Sequence, residues 1–338
     1  MLAVCRRKNM IGQKELDRIY NEIRTPYKYG AVVTGTKDDA SIDVDCQGIF
    51  SYGNRWYMTY VSYNSKSGYG GYQTNLASSD NLVDWKYEGV IFKNSADYPQ
   101  CAAFPALVDV RWSEGSGIEK YNGKYWWSTM EGAVKGYEGE PMNIGLLSTT
   151  DPSEPTAYSH EKRLLLTTAD KDVRSGEHGT LYKSNIIHDV QMTTGYEYVM
   201  FYNAKDSEPW VERIFMAVSH DMFNWKRYGS GHVLYIDGYT ITGDPQIIKM
   251  GDLWVMNLFA YSGKEPAYDT FAVSEDLVHW TLWNGEPTVK AGTAGSIDDR
   301  HAHKPWLIKH NDVVYHFYCA RSNDGSPRCI ALATSKRL

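Results

Sequence analysis

Apolar and polar positions along this chain fall into a unit that recurs five times. Three stretches share one template: LASSDNLVDW (76–85), MAVSHDMFNW (216–225) and FAVSEDLVHW (271–280). In each, an Ala stands eight residues before a Trp, with a Ser two residues after the Ala. LLSTTDPSEP (146–155) and LATSKRL (332–338) are weaker copies. Ahead of every copy lie a turn and an aromatic-rich strand, as in YGNRWYMTY, YNGKYWWST, TTGYEYVMFY, MGDLWVMNLF and KHNDVVYHFY. The step from turn to template Ser or Thr is 23 to 26 residues throughout, from Gly53 to Ser79 at one end to Asn311 to Ser335 at the other. Regularly spaced short strands, in units too small to bury both faces alone, predict an all-β, five-bladed β-propeller with radially stacked blades. The template Ser-Asp pair is expected to tie a turn, and Trp85, Trp225 and Trp280 to fill the gaps between blades.

One helical pattern precedes the repeats. QKELDRIYNEIR (13–24) sets Leu16, Ile19, Tyr20 and Ile23 at helical spacing, and the pattern breaks at Pro26 and Gly30. This divides the chain into a short N-terminal helical segment, 1–30, and a propeller domain, 31–338. The single apolar stripe should dock on the propeller or join two copies as a homodimer.

Composition narrows the partners. Aromatic residues make up 14% of the chain, with 26 Tyr and 11 Trp, against 22% charged residues. That balance suits stacked sheets or surfaces that stack on sugar rings. A net charge of −6 argues against nucleic acid or an anionic membrane surface as partner. No run of 18 apolar residues is present. Cys5, Cys46, Cys101, Cys319 and Cys329 are odd in number and lack CxxC spacing, which points to neither a disulfide framework nor a zinc knuckle. The N-terminus has no signal-peptide pattern, so a cytoplasmic location is expected, although a chain trimmed of its leader would read the same.

In a propeller the first strand of each blade lines the channel, so the residues opening these strands converge on one rim. Counting back from the turns places Asp45 at the opening of blade one, Ser116 near that of blade two, and Glu177, His178 and Lys183 at blade three. Asp244 opens blade four, and Arg300, His301, His303 and Lys304 cluster at blade five. Aligned on their turns, DPQIIKMGDLW and KPWLIKHNDVV superpose, including the proline. Asp45, Asp244 and His303 should therefore meet in one pocket, with Glu177, His178, Lys183, Arg300, His301 and Lys304 around it. Burying unpaired charge costs several kcal/mol per group, so such a convergence implies pairing or function. The loop SKSGYGGYQT (65–74) and Asn203 or Lys205 of YNAKDSEPW (202–210) are further candidates for contact with a ligand.

The five units, the Asp opening the first, the DPQIIKMGD segment and the Ser-x-Asp-Leu-x-x-Trp template resemble glycoside hydrolases of the arabinanase/xylosidase clan, families 43 and 62. The likeness extends to the family 117-type neoagarobiose hydrolases and family 43-like glycosidases. That resemblance implies an Asp base at Asp45, an assisting Asp at Asp244 and a His proton donor at His303. It also implies an N-terminal helix able to swap between subunits. The sequence departs from family 43 in having Asp244 where that family keeps a Glu acid at the opening of blade four, and no Asp at the opening of blade three. Glu177 is the competing acid.

Glycoside hydrolysis needs one group to protonate the leaving oxygen and another to activate water or attack the sugar. An Asp, ionised above about pH 4, suits the second role, and a His near 6.5 can serve the first. The expected activity is exo-acting hydrolysis of an oligosaccharide with inversion, requiring a base-to-donor separation of roughly 6.5–9.5 Å. Two alternatives stand beside it: phosphorolysis, with Arg300, His301, His303 and Lys304 cradling phosphate, and a sugar-binding propeller without catalysis. No cofactor is required by this chemistry, although a structural divalent cation in the central channel could be met by His178, His301 and His303.

Overall fold

The computed structural model describes residues 10–35, 42–63, 70–113 and 115–338. Cys5 and the first half of the loop at 65–74 lie outside these residues. Helix α1 (Gln13–Ile23) and strand β1 (Tyr27–Thr34) come first. Blade one is β2 (Asp43–Tyr52), β3 (Arg55–Tyr63), β4 (Tyr72–Ser79) and β5 (Lys86–Phe92). Blade two is β6 (Gln100–Pro105), β7 (Tyr125–Gly132), β8 (Asn143–Thr149) and β9 (Ser159–Leu166). Blade three is β10 (Thr180–His188), β11 (Tyr198–Lys205), β12 (Arg213–Ser219) and β13 (Lys226–Arg227). Blade four is β14 (Ile241–Met250), β15 (Leu253–Tyr261), β16 (Tyr268–Ser274) and β17 (Thr281–Leu282). Blade five takes β18 (His301–His310), β19 (Val313–Arg321) and β20 (Cys329–Thr334) from the C-terminal end and β1 from the N-terminal end. The inner strands β2, β6, β10, β14 and β18 touch their neighbours in that order and back to β2, so the five sheets close a ring. This is the five-bladed propeller expected from the repeat.

Apolar clusters fill the gaps between blades. Blades one and two share Phe50, Trp127 and Leu147, and blades three and four share Phe201, Trp254 and Met256. The template Trp residues do seal these gaps. Trp85 of blade one meets Phe317 of blade five edge-on, and Trp280 of blade four meets Phe201 of blade three. Each Trp also donates its indole N–H within its own turn, Trp85 to Leu82, Trp225 to Met222 and Trp280 to Leu277. The polar residue of the template caps that turn, as Asp221 does by accepting the N–H groups of Phe223 and Asn224.

Two expectations change. Residues 27–34 are a strand, paired antiparallel to β20 from Tyr27↔Thr334 to Thr34↔Cys329, so the boundary expected at residue 30 falls inside an element of the propeller. Blade two does not open near Ser116. Its inner strand is β6, and residues 106–124 run as an excursion that contacts the inner strands of other blades. There, the N–H of Leu107 bonds the carbonyl of Ile186, that of Trp112 bonds Lys249, and that of Ser51 bonds Ser116. Counting back from the turn at Gly123 fails because that turn joins the excursion, not the inner strand, to β7.

Helix α1 spends its apolar stripe on its own propeller. Leu16, Ile19 and Ile23 are buried against Ile248, Val255, Trp283 and Leu307 of blades four and five. No helix among the described residues is long and apolar enough to cross a membrane.

Candidate active site

Four inner strands break register at one equivalent place. The breaks fall between Asp45 and Gly48, Leu181 and Ser184, Gly243 and Gln246, and His303 and Trp306. These are β-bulges, which turn side chains toward a site. Cys46, Asp244 and Lys304 occupy the corresponding positions and all three adopt positive φ, 51°, 53° and 68°. Non-glycine residues hold that conformation only where the surroundings over-determine it. The alignment of DPQ with KPW is thus an alignment of two bulges.

The bulges surround a cavity of about 260 Å³ at one end of the channel. Below it the channel is filled. Lys183 is buried between the rings of Phe104 and Trp306, and Gln47 donates to the carbonyls of Lys304 and Phe317. The cavity is therefore a blind pocket.

Asp45 lies beside this pocket with both oxygens engaged. Oδ2 accepts from Lys304 Nζ at 2.7 Å and from Arg328 at 3.1 Å, and Oδ1 accepts the Cys46 N–H at 2.7 Å. Burial works against its ionisation, but Lys304 and Arg328 outweigh burial and hold the carboxyl well below the usual carboxylate range. Asp244 donates its backbone N–H to Asn203 Oδ1 at 3.3 Å, and its carboxylate stands 3.8 Å from Lys183 Nζ. His303 turns Nδ1–H to the carbonyl of Cys319 at 3.1 Å, and burial and Lys304 keep its ring neutral, well below the ordinary imidazole range. His301 accepts the Ala267 N–H at Nδ1, which leaves the proton on Nε2, and burial with three nearby arginines lowers it to about 4.

The structure thus brings Asp45, Lys183, Asp244, Arg300, His301, His303 and Lys304 to one place. Glu177 and His178 are not there. Glu177 is buried within blade three, held by Arg174, Arg227 and Tyr202. His178 is exposed against Asp206. Both precede β10, whose channel-facing residues begin only at the bulge, so they pack outward. His178 consequently cannot join His301 and His303, and no group of three metal-ligating side chains occurs among the described residues.

Two carboxylates that sequence reasoning passed over line the pocket. Glu138, on the loop after β7, is reached by the hydroxyls of Tyr72 at 3.4 Å and Tyr182 at 3.2 Å. Glu212, just before β12, accepts from Trp210 Nε1 at 2.9 Å and Asn203 Nδ2 at 2.7 Å. Burial, and next the charge of Glu138, push the Glu212 carboxyl up to about 8. Burial also raises Glu138, against the pull of Lys304 and Arg328. Arg321 and Arg328 of blade five complete the lining. The signal for Glu212 was close at hand: it lies two residues beyond YNAKDSEPW, whose Asn203 does line the pocket, while Lys205 pairs with Glu140.

No family model matches the sequence, and no curated protein does. Among solved structures, one described as a glycoside hydrolase is 40% identical, covering 97% of this chain and 96% of that one, with a TM-score of 0.88. A second, a complex of BT0996 with RGII, matches with the same figures. The catalytic domain of a Coprinopsis cinerea GH62 α-L-arabinofuranosidase is similar in fold alone, at 9% identity over 93% of this chain and 97% of that one, TM-score 0.65.

Proposed function

This chain is a member of the glycoside hydrolases built on a five-bladed β-propeller, and from that premise we propose that its pocket removes a terminal sugar from an oligosaccharide, with Glu212 as proton donor and Glu138 as the partner carboxylate. The observation that carries this is the pairing of two carboxyl groups in one pocket, on loops of neighbouring blades, one of them held protonated at neutral pH. Environments that separate two carboxyl groups in this way assign acid and base. Glu212 sits beside Glu138 and Asp244, which disfavour its charge, whereas Glu138 sits beside Lys304 and Arg328, which favour its charge. A blind pocket receives the end of a glycan, which supports exo action. The neighbour solved as a complex with RGII makes RGII a reasonable first substrate to assay.

In this reading Asp45 and His303 orient the site instead of reacting. The Asp45 oxygens are taken by Lys304, Arg328 and the Cys46 N–H, and a carboxyl so strongly ionised is a weak base. His303 carries no proton on the side away from Cys319. Inversion is tied to the pairing of Asp45 with His303 and falls with it; proton NMR of the first anomer released assigns the outcome for Glu138 and Glu212. Lys304 is committed to Asp45, which removes one arm of a phosphate cradle, so turnover is expected in phosphate-free buffer. Glu212→Gln should lower kcat by about 10²–10⁴-fold, the usual contribution of a general acid, with an unchanged circular dichroism spectrum. Near-wild-type turnover in that variant would end the assignment.

A further inference from the structure

The protein carries a net charge of −6, yet its pocket is lined by Lys183, Arg300, Lys304, Arg321 and Arg328 against Glu138, Glu212 and Asp244. Most of these cations have an internal partner. Lys304 and Arg328 share Asp45, and Lys183 faces Asp244. Arg300 and Arg321 do not: neither side chain makes an ion pair or hydrogen bond among the described residues.

The fold forces these two together. Arg300 donates its backbone N–H to the Arg321 carbonyl at 3.0 Å, and His301 pairs with Arg321 across β18 and β19. Like charges placed side by side on a sheet are destabilising. Burial, Arg328 and Arg300 together hold the Arg321 guanidinium below its ordinary range, and the same arginines help keep His301 neutral. Asp43, a carboxylate whose charge Arg321 feels, is already engaged by the backbone N–H of Arg328 at 2.7 Å. The pocket mouth thus holds two guanidinium forks and an imidazole N–H on His301 Nε2, with no internal anion bound to them among the described residues.

We propose that Arg300, Arg321 and His301 form a carboxylate subsite at the pocket mouth, so that the glycan processed here carries a uronic or other carboxyl-bearing sugar next to the residue removed. The planar guanidinium fork matches a carboxylate in two parallel hydrogen bonds, which a neutral sugar hydroxyl cannot provide. The neutral imidazole adds a donor without adding to the repulsion. Charge recognition of this kind acts mostly on selectivity: a partner lacking the charge leaves the arginines unrelieved. This rests on the glycosidase reading for its meaning but is tested by binding, which that reading does not control.

The test is calorimetric titration of the whole protein at neutral pH with oligogalacturonides and glucuronoxylan oligosaccharides, each before and after reduction of the carboxyl groups to alcohols. At least one acidic probe should bind about ten or more times as tightly as its reduced form. Arg321→Met and Arg300→Met should each erase most of that preference while leaving affinity for the reduced form within about twofold, and Arg321→Lys should retain part of it. Melting temperatures of the variants confirm that they fold. Equal affinity for acidic and reduced probes, no binding of either, or a preference indifferent to both arginines overturns the proposal. Inorganic phosphate that binds as tightly as the saccharides and displaces them also overturns it, in favour of a phosphate site. An acidic probe that binds with the expected preference but is never cleaved leaves the subsite standing and removes the glycosidase reading instead.

Discussion

At the level of single residues, Asp45 and Glu212 show how two carboxyl groups in one region come to opposite states. Asp45 is surrounded by cations and an N–H donor, and Glu212 by burial and other carboxylates. Asp45→Asn should therefore be a stability variant first. It leaves Lys304 and Arg328 buried without their counter-charge, a change that costs about 3–5 kcal/mol, seen as a lower urea midpoint at unchanged slope. An Asp45→Asn protein with the wild-type midpoint and no turnover would return Asp45 to the role of base. Glu212 gives the reverse sign. Its carboxyl is raised from an unfolded value near 4.5 to about 8, so the stability it contributes is complete below pH 4.5 and declines as pH climbs to 8. Glutamine does not titrate, so the melting temperature of Glu212→Gln should gain on the wild type from about pH 5 to pH 8. The wild-type kcat/KM should fall on the alkaline side near pH 8 as the donor loses its proton. A flat profile through that range would place the proton donor elsewhere.

At the level of elements, the bulged inner strand was partly legible. The proline after Asp244 and after Lys304 marked equivalent positions because proline is tolerated in a strand only at an edge or a bulge. The same bulge at Cys46 and at Lys183 carries no proline and left no mark in the sequence. Loops were harder still. Glu138 and Glu212 belong to no repeat and reach the pocket from loops whose path depends on tertiary packing. Blade two was misread for a related reason: its inner strand, QCAAFP, is short and is built largely of small residues. Close approach to blade one also rests on a glycine of the facing strand. A Cβ on Gly48 of β2 would stand 2.4 Å from Pro105 Cδ of β6, and both sides of that contact are stiff. Gly48→Ala should cost about 1–3 kcal/mol through this overpacking, measured by denaturant titration, whereas an alanine at Gly12, with open space around it, should not.

At the level of the whole molecule, five repeated turns made the ring readable, because each blade repeats one local solution and the count alone fixes closure. What the repeat could not reveal is how the ring is locked. Three strands of blade five come from the end of the sequence, and the fourth, β1, carries no copy of the template at all. Its signal was lost beside the helix, since YKYGAVVT alternates too weakly to stand out, with half-buried and exposed positions along its length. Yet β1 covers the edge of β20, and an uncovered edge offers its backbone groups to any other strand. Removing residues 1–25 should cost the packing of α1 on blades four and five but keep a cooperative, monomeric propeller. Removing residues 1–34 should also free the β20 edge, lower the melting temperature further and cause concentration-dependent association. A synthetic peptide of residues 26–35 should then restore the lost stability in trans, because the missing strand contributes through register with β20 and not through its covalent linkage. If the two truncations melt together and the peptide changes nothing, the lock lies elsewhere than in this strand pairing.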